Sequence, residues 1–269
     1  MSNKYLNLLK MTSFVGIVIL TSILLNLCRP FMPFGKNINR LFLEGGALAV
    51  IFSSYYLFMT KWDKIPFSSL SIYLMKGRLR LLCYGFLLGA VLLTTVFVLN
   101  YLFHSIAPTY LNMSVNTCAG IVLFFIATLF TAMWEEISFR GYLLQKLSET
   151  IGIHSSCSII ALCFGLLHLL SPLSSYQIVI STFLSGMLLN YAYFYSGNLY
   201  LPIGIHFGWN FFNGLLFSER IFKIEYLNRF LSGVKNPEQG LIAILITGLV
   251  AIWFVALYLK KQKNVNLTP

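Results

Sequence analysis

The chain has 269 residues, of which 58% are hydrophobic and only 10% are charged. Soluble domains have about a quarter of their residues charged, and the mean hydropathy of +0.78 is far from that of such domains. The net charge of +11 does not point to nucleic acid, because the basic residues lie in short segments beside apolar runs, where they anchor and orient membrane helices. The composition therefore predicts a polytopic protein of the lipid bilayer with no nucleic-acid partner.

Eight apolar segments approach the roughly 20 residues that a helix needs to cross a bilayer core about 30 Å thick. They lie at 11–28, 41–60, 81–103, 117–147, 155–171, 176–195, 199–217 and 240–259. The fourth is too long for one crossing, so its end is expected to tilt or to run past the membrane. No strand pattern or repeat is evident, and the short connections SPLSS and SGN predict antiparallel neighbours. The sequence predicts an all-α transmembrane bundle of about eight helices, formed by one domain over residues 1–269.

The distribution of Lys and Arg predicts the orientation of this bundle. With the N-terminus inside, the inner segments hold twelve Lys and Arg residues and the outer segments hold seven. Cytoplasmic loops are the ones enriched in these residues, so both termini are expected in the cytoplasm. The first apolar segment is long for a signal peptide and has no cleavage pattern, which favours a retained span. Termini rich in Lys and Asn favour a bacterial plasma membrane.

Polar residues inside the apolar segments are the candidates for function. A charged side chain near the bilayer centre costs about 2.5 to 3.5 kcal/mol on insertion scales, so it usually faces a partner or a wet cavity. The residues of this kind in the second half of the chain are Glu135, Glu136, Arg140, His168, His206 and Asn210. Glu44 near the start of the second segment is the remaining acid, and an interfacial position is expected for it.

Helix geometry sorts these residues into pairs. Glu136 and Arg140 are four residues apart and therefore neighbours on one helix face, in the favourable order of acid before base. Glu135 is rotated by about 100° from Glu136, so it is expected to point elsewhere and to remain free for a proton or a water. His206 and Asn210 are also four residues apart, and they present an imidazole and a carboxamide side by side.

A cluster of Glu135, His168, His206 and Asn210 would be able to perform acid–base chemistry on water if the fourth, fifth and seventh segments pack together. Glu135 would act as the base, and hydrogen-bond donors on His206 and Asn210 would stabilise an oxyanion. Phe164, one turn before His168, would form an apolar wall beside the imidazole. The same acids and histidines also fit a proton or cation pathway, although the internal repeats typical of transporters are absent from the sequence.

Three motifs in this region resemble those of a known family. EEISFR at 135–140 fits EExxxR, FGLLH at 164–168 fits FxxxH, and HFGWN at 206–210 fits HxxxN. In this order and on successive apolar segments, over about residues 117–217, they resemble the CPBP family of CAAX proteases and bacteriocin-processing enzymes, also called the Abi family. The resemblance implies an intramembrane endopeptidase whose substrate is a peptide or a membrane-anchored protein. It also implies that Glu135 and His168 activate water, that His206 and Asn210 form the oxyanion hole, and that Glu136 and Arg140 are a structural pair.

Besides the proton or cation pathway, two alternatives to a metal-free protease remain at this stage. Glu135, His168 and His206 are a ligand set that catalytic zinc accepts, although the sequence has no HExxH motif. A silent member of the family would bind a peptide or a partner protein without cutting it, as an immunity protein does. We favour an enzyme without a cofactor and without a metal, in which glutamate activates the water.

Overall fold

A computed structural model describes residues 3–111, 113–170, 175–234 and 236–267. The α-helices are α1 Asn3–Cys28, α2 Lys36–Tyr56, α3 Arg78–Leu102, α4 Val115–Glu136, α5 Leu144–Ile151, α6 Ile153–Leu167, α7 Tyr176–Ser196, α8 Tyr200–Leu216, α9 Arg229–Ser232 and α10 Leu241–Leu267. Two π-helical segments extend this set: Leu57–Trp62 continues α2, and Ile137–Leu143 joins α4 to α5. The strands are β1 Ile106–Tyr110 and β2 Phe222–Tyr226.

The predicted helical bundle is confirmed, with a difference in the number of complete crossings. Each of the eight predicted segments is occupied by helix, and six helices in the described ranges are long and apolar enough to span a membrane. The chain is therefore a multi-pass membrane protein. Helices α6 and α8 have only 15 and 17 residues, less than the roughly 20 of a full crossing. Residues 171–174, which hold the predicted end of the fifth segment and most of the SPLSS connection, lie outside the described residues.

The helices direct one face towards lipid and the other towards the core. In α3 the buried positions include Gly85, Gly89, Leu93 and Val96, which follow helical spacing along one stripe, whereas Leu87 on another face is 58% exposed. Large apolar side chains are also exposed along α10. An apolar outer surface of this kind is stable in hydrocarbon, where each helix satisfies its own backbone hydrogen bonds.

Closely packed glycines join α3 to α8. A Cβ atom at Gly89 would lie 2.2 Å from the carbonyl oxygen of Ile205, and one at Gly208 would lie 2.1 Å from that of Phe86. Only a residue without a side chain allows the two backbones to approach so closely, which is how small residues spaced by four assemble membrane helices. Gly204 and Gly208 flank His206, so this contact fixes the position of the helix that bears the HxxxN motif.

A two-stranded antiparallel ribbon is the part of the fold that was not predicted. Strand β1 pairs with β2 in a register that places Ile106 opposite Tyr226. Ile106 is 2% exposed and packs with Leu93 and Phe217, so the ribbon covers one end of the α3–α8 pair. The expectation of no strand was wrong here, because the short alternation in FKIEY is easily overlooked among long apolar runs.

Candidate active site

A cavity of about 100 Å³ brings the predicted site residues together. Its lining includes Glu135 from α4, Phe164 and His168 from the end of α6 and the turn after it, and His206 and Asn210 from α8. The three motifs are separated by up to 75 positions along the chain, so their convergence depends on helix packing. This cavity is the candidate active site.

The EExxxR motif spans the junction between an α-helix and a π-helical segment. Glu136 is the last residue of α4, and Arg140 lies within Ile137–Leu143. The predicted pair is present: Arg140 Nη1 donates to Glu136 Oε1 at 2.8 Å, and both side chains are fully buried. Single π-helical turns inside α-helices are frequent at functional sites, and this one places a buried ion pair beside the cavity.

Arg140 has two further partners on α7 that the sequence did not reveal. Its Nε donates to Asn190 Oδ1 at 2.8 Å, and its Nη2 donates to the Gly186 carbonyl oxygen at 3.2 Å. Asn190 is itself fixed by donating from Nδ2 to the Cys157 carbonyl oxygen at 2.8 Å. The guanidinium thus ties α4 to α7, and Asn190 ties α7 to α6. An asparagine in the apolar run of α7 was the only signal for this role.

Glu136 also contacts the imidazole of His206, so it does more than pair with Arg140. The distance from His206 Nδ1 to Glu136 Oε1 is 2.8 Å, and the same oxygen accepts from Arg140. Because Glu136 is ion-paired and accepts hydrogen bonds, Nδ1 of His206 is the donor. The ion pair of Glu136 and Arg140 therefore extends to His206, a contact that the sequence did not predict.

Glu135 is the free carboxylate of the cavity. Its side chain is 18% exposed, and Glu135 Oε2 lies 3.7 Å from His206 Nε2, beyond hydrogen-bonding distance. Within the described ranges Glu135 accepts no direct hydrogen bond, and it interacts electrostatically with His168 and His206. This separation of roles between Glu135 and Glu136 agrees with the rotation that helix geometry predicts for adjacent residues.

His168 is oriented by the backbone of the helix that precedes it. Its Nδ1 lies 2.8 Å from the Phe164 carbonyl oxygen. A carbonyl oxygen only accepts, so Nδ1 carries the proton, and in the neutral ring the lone pair is on Nε2. The Phe164 ring lies against the imidazole with centroids 4.8 Å apart, and the Arg140 guanidinium lies over the same ring at 5.0 Å. Phe164 is thus the apolar wall expected for it, and it also supplies the acceptor that orients His168.

Asn210 presents an unused amide to the cavity. Over the described part of the chain, its side chain has no hydrogen-bond partner, although it lines the cavity one helical turn after His206. His206 lines the same cavity. Its Nδ1 contacts Glu136, so Nε2 is the ring nitrogen that remains available to a ligand. The His206 and Asn210 side chains therefore retain groups that are able to bind a ligand atom.

Other polar groups surround the predicted cluster. Glu44, for which an interfacial position was expected, is only 9% exposed and accepts from Trp134 Nε1 at 2.9 Å. Trp134 precedes Glu135, which gives Glu44 a role in fixing the start of the motif. Glu238 and Thr247 also line the cavity, and neither was predicted as a site residue.

Glu135, His168 and His206 are the side chains that were considered as zinc ligands. In the described part of the chain, no group of three or more His, Cys, Asp and Glu side chains is arranged to hold a metal ion. Two of the three candidate zinc ligands also have one ring nitrogen engaged, His168 with a carbonyl and His206 with Glu136. Each retains only Nε2 for a ligand.

Comparison with known proteins supports the resemblance seen in the motifs. No curated protein matches the chain. Residues 116–212 match the family model described as "Type II CAAX prenyl endopeptidase Rce1-like". This stretch contains α6, α7 and most of α4 and α8, with Glu135, His168, His206 and Asn210. Residues 116–212 are therefore similar to the Rce1-like type II CAAX prenyl endopeptidases, which confirms the resemblance of this stretch to the CPBP proteases.

Proposed function

We propose that the protein is an intramembrane endopeptidase that hydrolyses peptide bonds of peptides or membrane-anchored proteins. The observation that carries this proposal is the convergence, in one cavity, of a free carboxylate, an oriented imidazole and an unused amide. The match to a protease family over the same residues supports it. The proposed location is a bacterial plasma membrane with both termini in the cytoplasm.

Water activation is assigned to Glu135 and His168. The Glu135 carboxylate takes a proton from water as the oxygen attacks the scissile carbonyl carbon, and it returns that proton to the leaving amine when the tetrahedral intermediate collapses. His168, with Nδ1–H held by the Phe164 carbonyl, offers Nε2 as a hydrogen-bond acceptor that orients the same water. In this proposal the two side chains activate the water without a metal ion.

Stabilisation of the oxyanion is assigned to His206 and Asn210. Asn210 offers the N–H groups of its amide, which has no partner in the described part of the chain. His206 already donates from Nδ1 to Glu136, so Nε2 donates to an oxyanion only when the ring carries both protons. The Glu136 carboxylate stabilises that imidazolium, and Arg140 holds Glu136 in place. This gives the ion pair a positioning role in catalysis.

The proposal is tested by comparing membrane peptides from cells that produce the wild type with those from cells that produce Glu135→Gln. Mass spectrometry is expected to find cleavage fragments in the first sample that are missing from the second. The same experiment identifies the substrate and the cleaved bond. Identical peptide profiles at equal protein levels would contradict the assignment of an endopeptidase.

Replacing Asn210 with alanine is expected to slow cleavage and to leave substrate binding nearly unchanged. An oxyanion donor acts mainly in the transition state, and loss of one such donor costs about 2.7 to 4 kcal/mol in the barrier, or about 10²- to 10³-fold in kcat. Kinetics on the purified protein measure this, with Asn264→Ala as a control that removes an exposed amide outside the cavity. A change confined to KM would show that Asn210 binds substrate and has no role at the oxyanion.

Metal removal is expected to leave cleavage unchanged. A water activated by Glu135 and His168 needs no Lewis acid, so protein treated with a chelator is expected to keep its activity and to contain no stoichiometric zinc. Elemental analysis combined with activity measurements checks this. One tightly held zinc per active chain, with activity lost on its removal and restored on its return, would make Glu135 a ligand and overturn its assignment as the base.

A further inference from the structure

Glu238 is a second carboxylate in the lining of the cavity that contains Glu135. It belongs to the short 3₁₀ turn Pro237–Gln239 that leads into α10. Its Oε1 accepts from Trp209 Nε1 at 2.8 Å and from Asn213 Nδ2 at 3.1 Å. Two donors from α8 therefore hold one oxygen of the carboxylate, and within the described residues Oε2 has no hydrogen-bond partner.

The charges around this carboxylate favour a cationic ligand. The described residues that line the cavity include two carboxylates, Glu135 and Glu238, and two histidines, and none of these described residues is Lys or Arg. Among the described residues Glu238 makes no ion pair. The Glu238 carboxylate is half-buried in a membrane protein, so it lowers the free energy of a cation placed beside it.

A second polar group of the cavity lining, Thr247, leaves a hydrogen-bonding atom unused by the described residues. Thr247 of α10 lines the cavity and is 2% exposed, and its hydroxyl is buried without a hydrogen bond in the described part of the chain. Buried hydroxyl groups are normally hydrogen-bonded, and an orphan that faces a cavity indicates a bound water or ligand. Thr247 therefore offers an acceptor oxygen to a ligand in the cavity.

We propose that Glu238, together with Thr247 of the same cavity lining, forms a subsite for a cationic group of the peptide, such as a lysine or arginine side chain. The inference rests on the proposed endopeptidase function and adds the charge of its substrate. Trp209 and Asn213 are three and seven residues beyond His206, or about 4.5 and 10.5 Å along the α8 axis. Glu238 accepts from both side chains, so on this scale it lies about 7.5 Å beyond His206 along the α8 axis. An extended peptide advances about 3.3 to 3.6 Å per residue, which places the cationic residue about two residues from the scissile bond.

Cleavage of matched peptides tests the subsite. The probes are short apolar peptides that are identical except for a single Lys, Gln or Glu, which is moved through the sequence, and mass spectrometry locates each cleaved bond. For the wild type, Lys two or three residues from the cleaved bond is expected to raise kcat/KM about tenfold over Glu, the size of effect that one close charge produces in a partly screened site. Glu238→Gln keeps an acceptor for Trp209 and Asn213, so it is expected to fold and to lose this preference. Glu238→Lys is expected to reverse it.

Controls separate the subsite from a general charge effect and from the protease activity. Glu225→Gln makes the same change in net charge at an exposed position of β2 and is expected to keep the preference for Lys. Equilibrium binding of the same peptides to Glu135→Gln protein measures the preference without turnover. One possible outcome is that the wild type cleaves no peptide at all, while Lys peptides bind more tightly than Glu peptides and lose that advantage in Glu238→Gln. In that case the subsite stands and the protease assignment falls. An equal preference in wild type and Glu238→Gln, in either assay, overturns the subsite.

Discussion

Replacing Glu135 with glutamine is expected to abolish cleavage while leaving the protein folded and inserted. The amide is nearly isosteric with the carboxylate but has no lone pair basic enough to take a proton from water. Loss of a general base lowers rates by about 10²- to 10⁴-fold, so the cleavage rate of the variant is expected to fall below that of the wild type by this amount or more. Turnover of a peptide identified in the membrane comparison measures the effect on purified protein.

Stability is expected to be unchanged or slightly higher in this variant. Glu135 accepts no hydrogen bond from the described residues, so the amide breaks none, and its only close ionic contact is to His206 at 3.7 Å. Removal of a charge from a cavity inside the membrane also removes part of the free-energy cost of desolvation. Thermal unfolding of wild type and variant in the same detergent checks this.

Glu44→Gln is the matched control. It also removes a carboxylate that is largely buried, and the amide oxygen is still able to accept from Trp134 Nε1. Because Glu44 does not line the cavity, cleavage is expected to continue in this control. Wild-type turnover by Glu135→Gln would remove Glu135 from the mechanism, and loss of turnover in both variants would show that the effect reflects buried charge in general.

The parts of the site that follow from local geometry were predictable from sequence. Glu136 and Arg140 are four residues apart, and helical periodicity alone places them together and turns Glu135 aside. The same rule pairs His206 with Asn210. Membrane energetics singled out these residues, because unpaired polar groups are rarely retained in apolar segments.

The parts that depend on packing between helices were not predictable in the same way. Asn190 became a partner of Arg140 only because α7 passes beside the π-helical segment, at a sequence separation of 50 residues. Glu44 reaches Trp134 across 90 residues, and Glu238 enters the cavity from a connection with no motif. Periodicity reports which face of a helix is polar, but it does not report which other helix that face meets. The glycines of α3 and α8 carry part of that information, since small residues spaced by four mark close contacts.

Arg140→Ala is expected to destabilise the protein strongly and to lower its activity as a consequence. The guanidinium is fully buried and donates to Glu136, Asn190 and the Gly186 carbonyl oxygen. Its removal leaves the buried Glu136 carboxylate without its cation, and Glu136 Oε2 already lacks a partner within the described residues. Breaking a buried pair from one side costs about 3 to 5 kcal/mol, which is a large fraction of the stability of most proteins.

A double-mutant cycle separates the ion pair from the other contacts of Arg140. Glu136→Gln in the Arg140→Ala background removes the uncompensated charge, so the double variant is expected to be less destabilised than the sum of the two single variants, by about 1 to 3 kcal/mol. Glu136→Gln alone is expected to reduce activity by more than its loss of stability explains, because His206 loses the carboxylate that its Nδ1 contacts at 2.8 Å. Arg80→Ala, at an exposed position near the start of α3, is the control and is expected to unfold at the wild-type temperature. An Arg140→Ala protein with unchanged stability would mean that water reaches the pair, and EEISFR would then be an interfacial segment with no role in supporting His206.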